Sequence, residues 1–528
     1  MYTYLLILQL LVKCLTQTLF TETEHFTYPA MSWLLTLLAA SLLVLIASWQ
    51  RWRWTHGRML ELSAKVSGPS AWPIIGNCWL YLFVTEQLDV ITSLSMKYGD
   101  YFKFWLGPDL NICVKNPADI RLLLTSAKVS QKGPVYELLK SYIGPGILTG
   151  GPTWRNHRKI ATPSYNKKCV QQYTAIFNTE AEHLAKVFCG KDPRVPTDVY
   201  VDVVKTTTQC VCQTLMGLTK EDSWDVYRMD EVVSTTQEMY RHIFNRITRW
   251  WLQIPLIFWL SGAKNKEAYY IKAIDDLTSD IVRRRRKNLE TGVGNEETLG
   301  VVDRYILSGE LSDQEIKWET FSLFTTSQEA SAKIASGVLL FLAHLPDWQE
   351  KVYNEIIDVL GPHDGPVSVD QIKLLQHLDM VYNETLRYFS IAAMIQRTVE
   401  DEITIDNGKI TLPKGTSLVI PIHDLHRDPR YWPDPYRVMP ERFLPENVAQ
   451  RDSNAFVPFS LGAMDCLGRV YATALIKILV VRVLRSVHLE GVGSLDNLPL
   501  EVAISVKSAN GYRLRVKPRE SVATEAGP

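Results

Sequence analysis

The sequence carries no net charge: 57 Lys and Arg residues balance 57 Asp and Glu over 528 residues. That balance excludes a global electrostatic pull toward nucleic acid. No C-x-x-C pair occurs among the eight cysteines, Cys14, Cys78, Cys113, Cys169, Cys189, Cys210, Cys212 and Cys466. A zinc ribbon and a thioredoxin-like centre are therefore not expected. The scatter reads as reduced thiols in a cytosol-facing protein, and Cys210-Val211-Cys212 in its apolar run reads as core. Gly144-Pro145-Gly146 with Gly150 has the wrong spacing for a dinucleotide loop. His426-Arg427-Asp428 is followed by Pro429 and has no glycine-rich partner, so it is not a kinase loop. No repeat or low-complexity tract interrupts the main body, which reads as one large domain.

What is present is an ordinary globular composition, 46% hydrophobic and 22% charged, enough for a substantial core. Ser32 to Trp49 is apolar and uncharged; as a helix it would run about 27 Å, close to a hydrocarbon core. Arg51-Trp52-Arg53-Trp54 follows, a basic and aromatic flank that favours a cytosolic carboxy-terminal side. Residues 32–50 are thus expected to be a transmembrane signal anchor. Residues 1–31 are an apolar extension interrupted by Lys13, and Met31 is an alternative start directly before the anchor. Residues 51–77 form a basic, proline-rich linker ending in Gly68-Pro69-Ser70-Ala71-Trp72-Pro73-Ile74-Ile75-Gly76-Asn77, where proline stiffens the chain. Residues 78–518 are the expected catalytic domain and 519–528 a flexible tail.

Helical spacing predicts helices over 154–162, 179–188, 199–218, 267–289, 312–344, 347–360, 374–388 and 468–487. Around Asn407-Gly408, alternating residues between Gln396 and Ile420 predict a hairpin. Residues 489–516 read as β. The sum is mainly α with small β-sheets, not an alternating βαβ chain. Arg283 to Lys287 reads as a solvated basic face. Asn383-Glu384-Thr385 is a glycosylation sequon placed on a cytosolic helix.

Phe459-Ser460-Leu461-Gly462-Ala463-Met464-Asp465-Cys466-Leu467-Gly468 sets a cysteine between glycines just before a helix. Glycine permits tight turns and close approach to a flat ligand. Amides at a helix start favour the thiolate, the form that a soft axial ligand requires. On these residues alone, a structural cysteine at a helix start is an equal alternative.

The loop resembles the haem-binding signature of cytochromes P-450, F-x-x-G-x-x-x-C-x-G, at Phe459, Gly462, Cys466 and Gly468. Glu384-Thr385-Leu386-Arg387 is similar to that family's E-x-x-R. Pro440-Glu441-Arg442-Phe443 is similar to its P-E-R-F, Trp154 through Arg158 to its W-x-x-x-R, and Gly68 through Asn77 to its proline-rich hinge. The segment HDLHRDPRYWPDP, His423 to Pro435, resembles the family 4 group of animals, especially insects. The resemblance implies a cytochrome P-450 fold with an amino-terminal transmembrane anchor helix. It implies haem b held by Cys466, with Trp154, Arg158 and Arg397 at the propionates. It further implies a structural network of Glu384, Arg387 and Arg442 behind the ligand loop. The implied activity is an NADPH-dependent monooxygenase on the cytosolic side of the endoplasmic reticulum membrane. Its partners would be NADPH-cytochrome reductase and cytochrome b5. Its substrates would be apolar: fatty acids, lipid hormones or xenobiotics.

Two departures stand out. Where the family carries (A/E)-G-x-(D/E)-T for proton delivery, this chain has Thr326-Ser327-Gln328-Glu329-Ala330. Glu329 keeps the acid, Ala330 lacks the hydroxyl, and Ser327, three residues back, is expected to replace it. In the ligand loop, Met464 stands where a basic residue usually meets a propionate, and Asp465 adds negative charge. Both changes predict a lower ferric potential or weaker haem retention. The loss at Ala330 leaves open a haem-thiolate isomerase or dehydratase, or a degenerate haem-binding protein, beside the monooxygenase.

Overall fold

The computed structural model describes residues 28–519, apart from 74, 82–86, 227–228, 292–298, 362–364, 497 and 503. The chain divides into two units, Met1–Glu61 and Leu62–Pro528. In the first, one helix runs Tyr28–Thr55 and contains the expected anchor; the side chains at its start lie outside the described residues. Among the described residues, no helix is long and apolar enough to cross a membrane. The expected extension 1–31 lies almost wholly outside the described residues, as does the tail from 520.

The second unit is mainly helical. Its axis is the helix Asp313–His344, 32 residues, about 48 Å long at helical rise. Ser312 and Glu315 start it with a reciprocal capping box, and Pro346 opens the next helix after it. Most of its side chains are buried on all sides, as expected of a helix at the centre of a large core. Against it pack Tyr200–Thr214, Gln376–Tyr388 and Arg469–Ser486, and Lys167–Cys189 packs on the first and last of these; all share one continuous apolar core. Polar side chains pin the middle of the axis. Thr207 donates to the Gln328 carbonyl and Thr208 to the Gln328 side chain, both at 3.0 Å.

The sheets are small. Five strands lie in the order Tyr101–Leu106, Asp109–Val114, Ser417–Ile420, Ile395–Thr398 and Gln131–Lys132. A three-stranded sheet joins Thr197–Asp198, Arg513–Pro518 and Val487–Gly491. The hairpin expected at Asn407-Gly408 pairs Ile403–Ile405 with Ile410–Leu412, and Asp406, Asn407 and Gly408 all take positive φ in the turn. The proline-rich segment is fastened to the first hairpin. Asn77 N–H donates to the Trp105 carbonyl, its side-chain oxygen accepts from Trp105 N–H, and its amide N–H₂ donates to the Ser70 carbonyl.

The observed helices extend several sequence-predicted ones. The stretch expected at 179–188 is the second half of Lys167–Cys189, because Asn166 starts the helix well before it by accepting from Cys169 N–H.

Candidate active site

The ligand loop is held in one shape by its own backbone. Cys466 N–H donates to the Phe459 carbonyl at 2.9 Å. Gly462 has φ +77°, and a Cβ there would meet the Leu124 carbonyl oxygen at 2.0 Å, so only glycine fits. Arg469 then opens the last long helix. The Cys466 residue carries accessible surface. Burial pushes its thiol above the ordinary value; a hydrogen bond from Gly468 N–H opposes this, Asp465 adds to it, and Arg158 and Lys132 oppose it. Burial thus works against the thiolate that the helix start favours. Neighbouring cations, or a metal at sulfur, must complete the compensation.

Those cations are present, in an arrangement the sequence did not show. Arg158 does not point free into the site. It donates to the Asp465 carbonyl at 2.8 Å and forms an ion pair with the Asp465 carboxylate, and it stands 6.0 Å from the Trp154 ring centroid. Asp465 is thus neutralised by Arg158, not left as bare charge beside the sulfur. Arg397 is buried and donates to the Gln396 and Met464 carbonyls. Directly across the sheet, Arg397 is paired in register with Lys132. Burial depresses the Lys132 ammonium well below its ordinary value; Arg397 and Arg158 depress it further, while Cys466 pulls it back up. Among the described residues neither Lys132 nor Arg397 has a carboxylate partner. A buried cation such as Arg397 requires an anion. A cysteine loop with Arg397 on its Met464 carbonyl and Lys132 within electrostatic reach of its sulfur fits a flat macrocycle that carries iron at its centre and carboxylates at its edge. Lys132 was invisible in sequence because it sits on a two-residue strand far from any motif.

The supporting network is as expected, and more extensive. Glu384 and Arg387 are both fully buried and share two hydrogen bonds of 2.7 Å. Glu384 also accepts from Met439 N–H at 2.8 Å, with Arg442 Nε at 3.5 Å. Arg387 donates to the carbonyls of His426 and Pro435, and Arg442 to those of Pro433 and Asp434. His426 carries this scaffold to the ligand loop. Its Nε2 accepts from Val457 N–H at 3.0 Å, so its Nδ1 bears the proton and donates to Ser390 Oγ at 3.0 Å. Burial, then Arg387 and Arg427, hold this imidazole well below the usual histidine range, hence neutral. The chemistry of the triplet at 426–428 is therefore structural.

The two expected proton-delivery residues are separated. They lie two residues apart, about 200° around a helix. Ser327 lies within reach of the buried Tyr165 phenol, which in turn lies within electrostatic reach of Cys466. Glu329 instead pairs with Lys333 at 2.7 Å and lines a cavity of about 450 Å³ with Tyr200, Tyr240, Ser505 and Tyr512. Cys466 does not line that cavity. The Thr326 hydroxyl is turned back onto the Ser322 carbonyl at 2.7 Å. A buried His157–Glu319 pair, 2.8 Å, also escaped the sequence reading; Glu319 accepts from Ile147 N–H and so holds the 144–149 loop to the axis.

The family model "Cytochrome P450" matches residues 66–512. "Cytochrome P450 4V2" of Pongo abelii is 28% identical over 506 residues, 92% of this chain and 94% of that protein. "Probable cytochrome P450 4s3" of Drosophila melanogaster is 27% identical, over 89% of this chain and 95% of its own. "Cytochrome P450 4c3" of the same fly is 25% identical, over 92% and 94%. With a cysteine loop, an E-x-x-R network and a helical axis in the arrangement just described, and with the family model spanning most of its length, this chain belongs to the cytochrome P450 family and is a monooxygenase resembling its family 4 members.

Proposed function

We propose that Cys466 is the axial thiolate of a haem b, and that Lys132 and Arg397, with Trp154 and Arg158 alongside, bind its propionates. The observation that carries this is the cationic surrounding of the ligand loop: Arg158 and Lys132 lie within electrostatic reach of the Cys466 sulfur, Arg397 is buried and donates to the Met464 carbonyl, and among the described residues neither Lys132 nor Arg397 has a carboxylate partner. Bound there, a haem-thiolate iron supplies reductive activation of dioxygen and insertion of one oxygen atom into substrate. The chain's own residues do the rest. The Glu384–Arg387–His426 scaffold fixes the loop so that sulfur and macrocycle keep one geometry. Phe459, Gly462 and Gly468 shape the loop around the macrocycle. Ser327, backed by Tyr165, holds a hydroxyl proton on the Cys466 side of the axis, where Ala330 offers none. Glu329 holds the second acid function from the opposite side.

The electrons derive from NADPH through a reductase, with cytochrome b5 as a second donor, and the substrate is apolar: a fatty acid, lipid hormone or xenobiotic. The uncharged run 32–49 and its basic flank support an anchor in the endoplasmic reticulum membrane, with the catalytic unit on the cytosolic side. The family 4 relatives favour a monooxygenase over an isomerase, a dehydratase or a bare haem-binding protein.

A reduced-CO spectrum tests the ligand. The wild-type protein should give the haem-thiolate band, and Cys466→Ser should lose it while retaining helical circular dichroism. NADPH- and oxygen-dependent product formation from an apolar substrate library then tests the reaction. Haem-thiolate binding with no electron consumption from any reductase would sink the monooxygenase reading.

A further inference from the structure

We propose that Lys333 is a positioning residue that, together with Ser505, holds the Glu329 carboxylate turned into the 450 Å³ cavity on the far side of the central helix, so that Glu329 exchanges protons with water there. The inference rests on the haem-thiolate reading above and deepens it. Glu329 and Lys333 are four residues apart and share one helix face. Their ion pair is 2.7 Å, and Lys333 is 3% exposed. Lysine is almost never this buried unless its ammonium is satisfied. Here it is satisfied on two sides, by Glu329 Oε1 and by Ser505 Oγ. Ser505 belongs to the turn between strands Leu500–Val502 and Val506–Ser508, and Val506 N–H in turn donates to the Ile391 carbonyl.

An apolar side chain would pack a buried helix face at lower desolvation cost than a lysine. The charge therefore calls for a reason beyond packing, and the direction of Glu329 supplies one. Ser327, about 200° around the helix and within reach of Tyr165, lies on a different face from Glu329, which lines the cavity. The cavity reaches the surface, where Val201 is 50% exposed. The phenols of Tyr200, Tyr240 and Tyr512 lie within electrostatic reach of Glu329. The remaining cavity carboxylates are already engaged: Asp198 by Tyr200 and Tyr512 N–H, Glu501 by Lys507 at 3.1 Å. Lys333 thus sets which way the only acid of the 326–331 segment faces.

The test uses the full-length holoprotein with its reductase and one accepted substrate. Four variants are compared: Lys333→Met, Lys333→Arg, Glu329→Gln and the double Lys333→Met/Glu329→Gln. Lys333→Met should keep the reduced-CO spectrum and KM, lower kcat about tenfold, and raise peroxide per NADPH. Lys333→Arg should restore most of the coupling. The double variant should be no worse than Glu329→Gln alone, because Lys333 acts through Glu329. Hydrogen exchange at Val506 to Ser508 should quicken in Lys333→Met and in the milder Ser505→Ala, a readout independent of turnover. Wild-type coupling in Lys333→Met, or losses that multiply in the double variant, overturns the assignment. If Lys333→Met does not fold, Ser505→Ala decides: faster exchange with partial uncoupling supports the positioning role, and unchanged coupling overturns it. A wild-type protein lacking the haem-thiolate spectrum overturns the ligand reading and this inference together.

Discussion

Replacing Glu384 by glutamine removes one charge and changes almost no volume, which isolates what that carboxylate does. In the wild type its two oxygens take both Arg387 bonds at 2.7 Å and the Met439 N–H at 2.8 Å, with Arg442 at 3.5 Å. The amide keeps one acceptor oxygen; its N–H₂ must face a guanidinium or a backbone N–H, a donor against a donor. Arg387 is 0% exposed, so its charge is left in the interior without an anion. Breaking a buried pair on one side costs about 3–5 kcal/mol, roughly 10² to 10⁴ in the folding equilibrium. Arg442→Met should cost less, because its shorter bonds go to carbonyls, each worth about 1–3 kcal/mol when orphaned. A paired Glu384→Leu/Arg387→Met exchange should cost less than Glu384→Gln, since no charge is stranded. The assay is a urea titration read twice, by the reduced-CO band and by far-UV circular dichroism. In Glu384→Gln the CO band should fail at lower urea than the helices, because the network carries the ligand loop through His426 and Val457. A Glu384→Gln protein within about 1 kcal/mol of wild type, beyond the usual range for a stranded charge, would refute the argument. So would a double exchange as damaging as the single one.

Lys132→Met should speed haem loss to an acceptor globin about 10- to 100-fold, the equivalent of one charge-assisted hydrogen bond; adding Met464→Arg should recover part of it, and unchanged retention would remove Lys132 from the propionate site. Ser327→Ala should keep the reduced-CO spectrum but raise the peroxide fraction, and tight coupling in that variant would show that its hydroxyl is not used. His423 and His426 are both held well below the usual histidine range, by burial first and neighbouring arginines second. Below pH of about 6.5 the unfolded chain binds protons that the folded one refuses. Stability should therefore be full above that pH and fall as pH drops through the interval, by about 1.4 kcal/mol per pH unit for each imidazole. His426→Leu should lower stability at neutral pH yet flatten this slope by one proton, as read by urea midpoints at two pH values; an unchanged slope would mean that His426 is not the proton-excluding group.

The sequence determined the elements whose cause is local. The central helix was legible because its apolar run begins at the Ser312–Glu315 capping box and stops before Pro346. The hairpin at Asn407-Gly408 was legible because only a few residue types accept positive φ. The Cys466 loop and the Glu384–Arg387 pair were legible because each is a short pattern within one element. Tertiary structure decided what depends on partners remote in sequence. Lys132 meets Arg397 only through the pairing of strands 265 residues apart. Arg158 goes to Asp465, across the chain, instead of standing free. Ser327 and Glu329 are close in sequence, yet they lie on different helix faces, one within reach of Tyr165 and the other paired with Lys333, which Ser505 holds. A pattern names the residues a site contains, because chemistry constrains identity. Which way each charge faces is set by burial, where every ion must find its counter-charge or hydrogen-bond partner, and that partner is chosen by the fold.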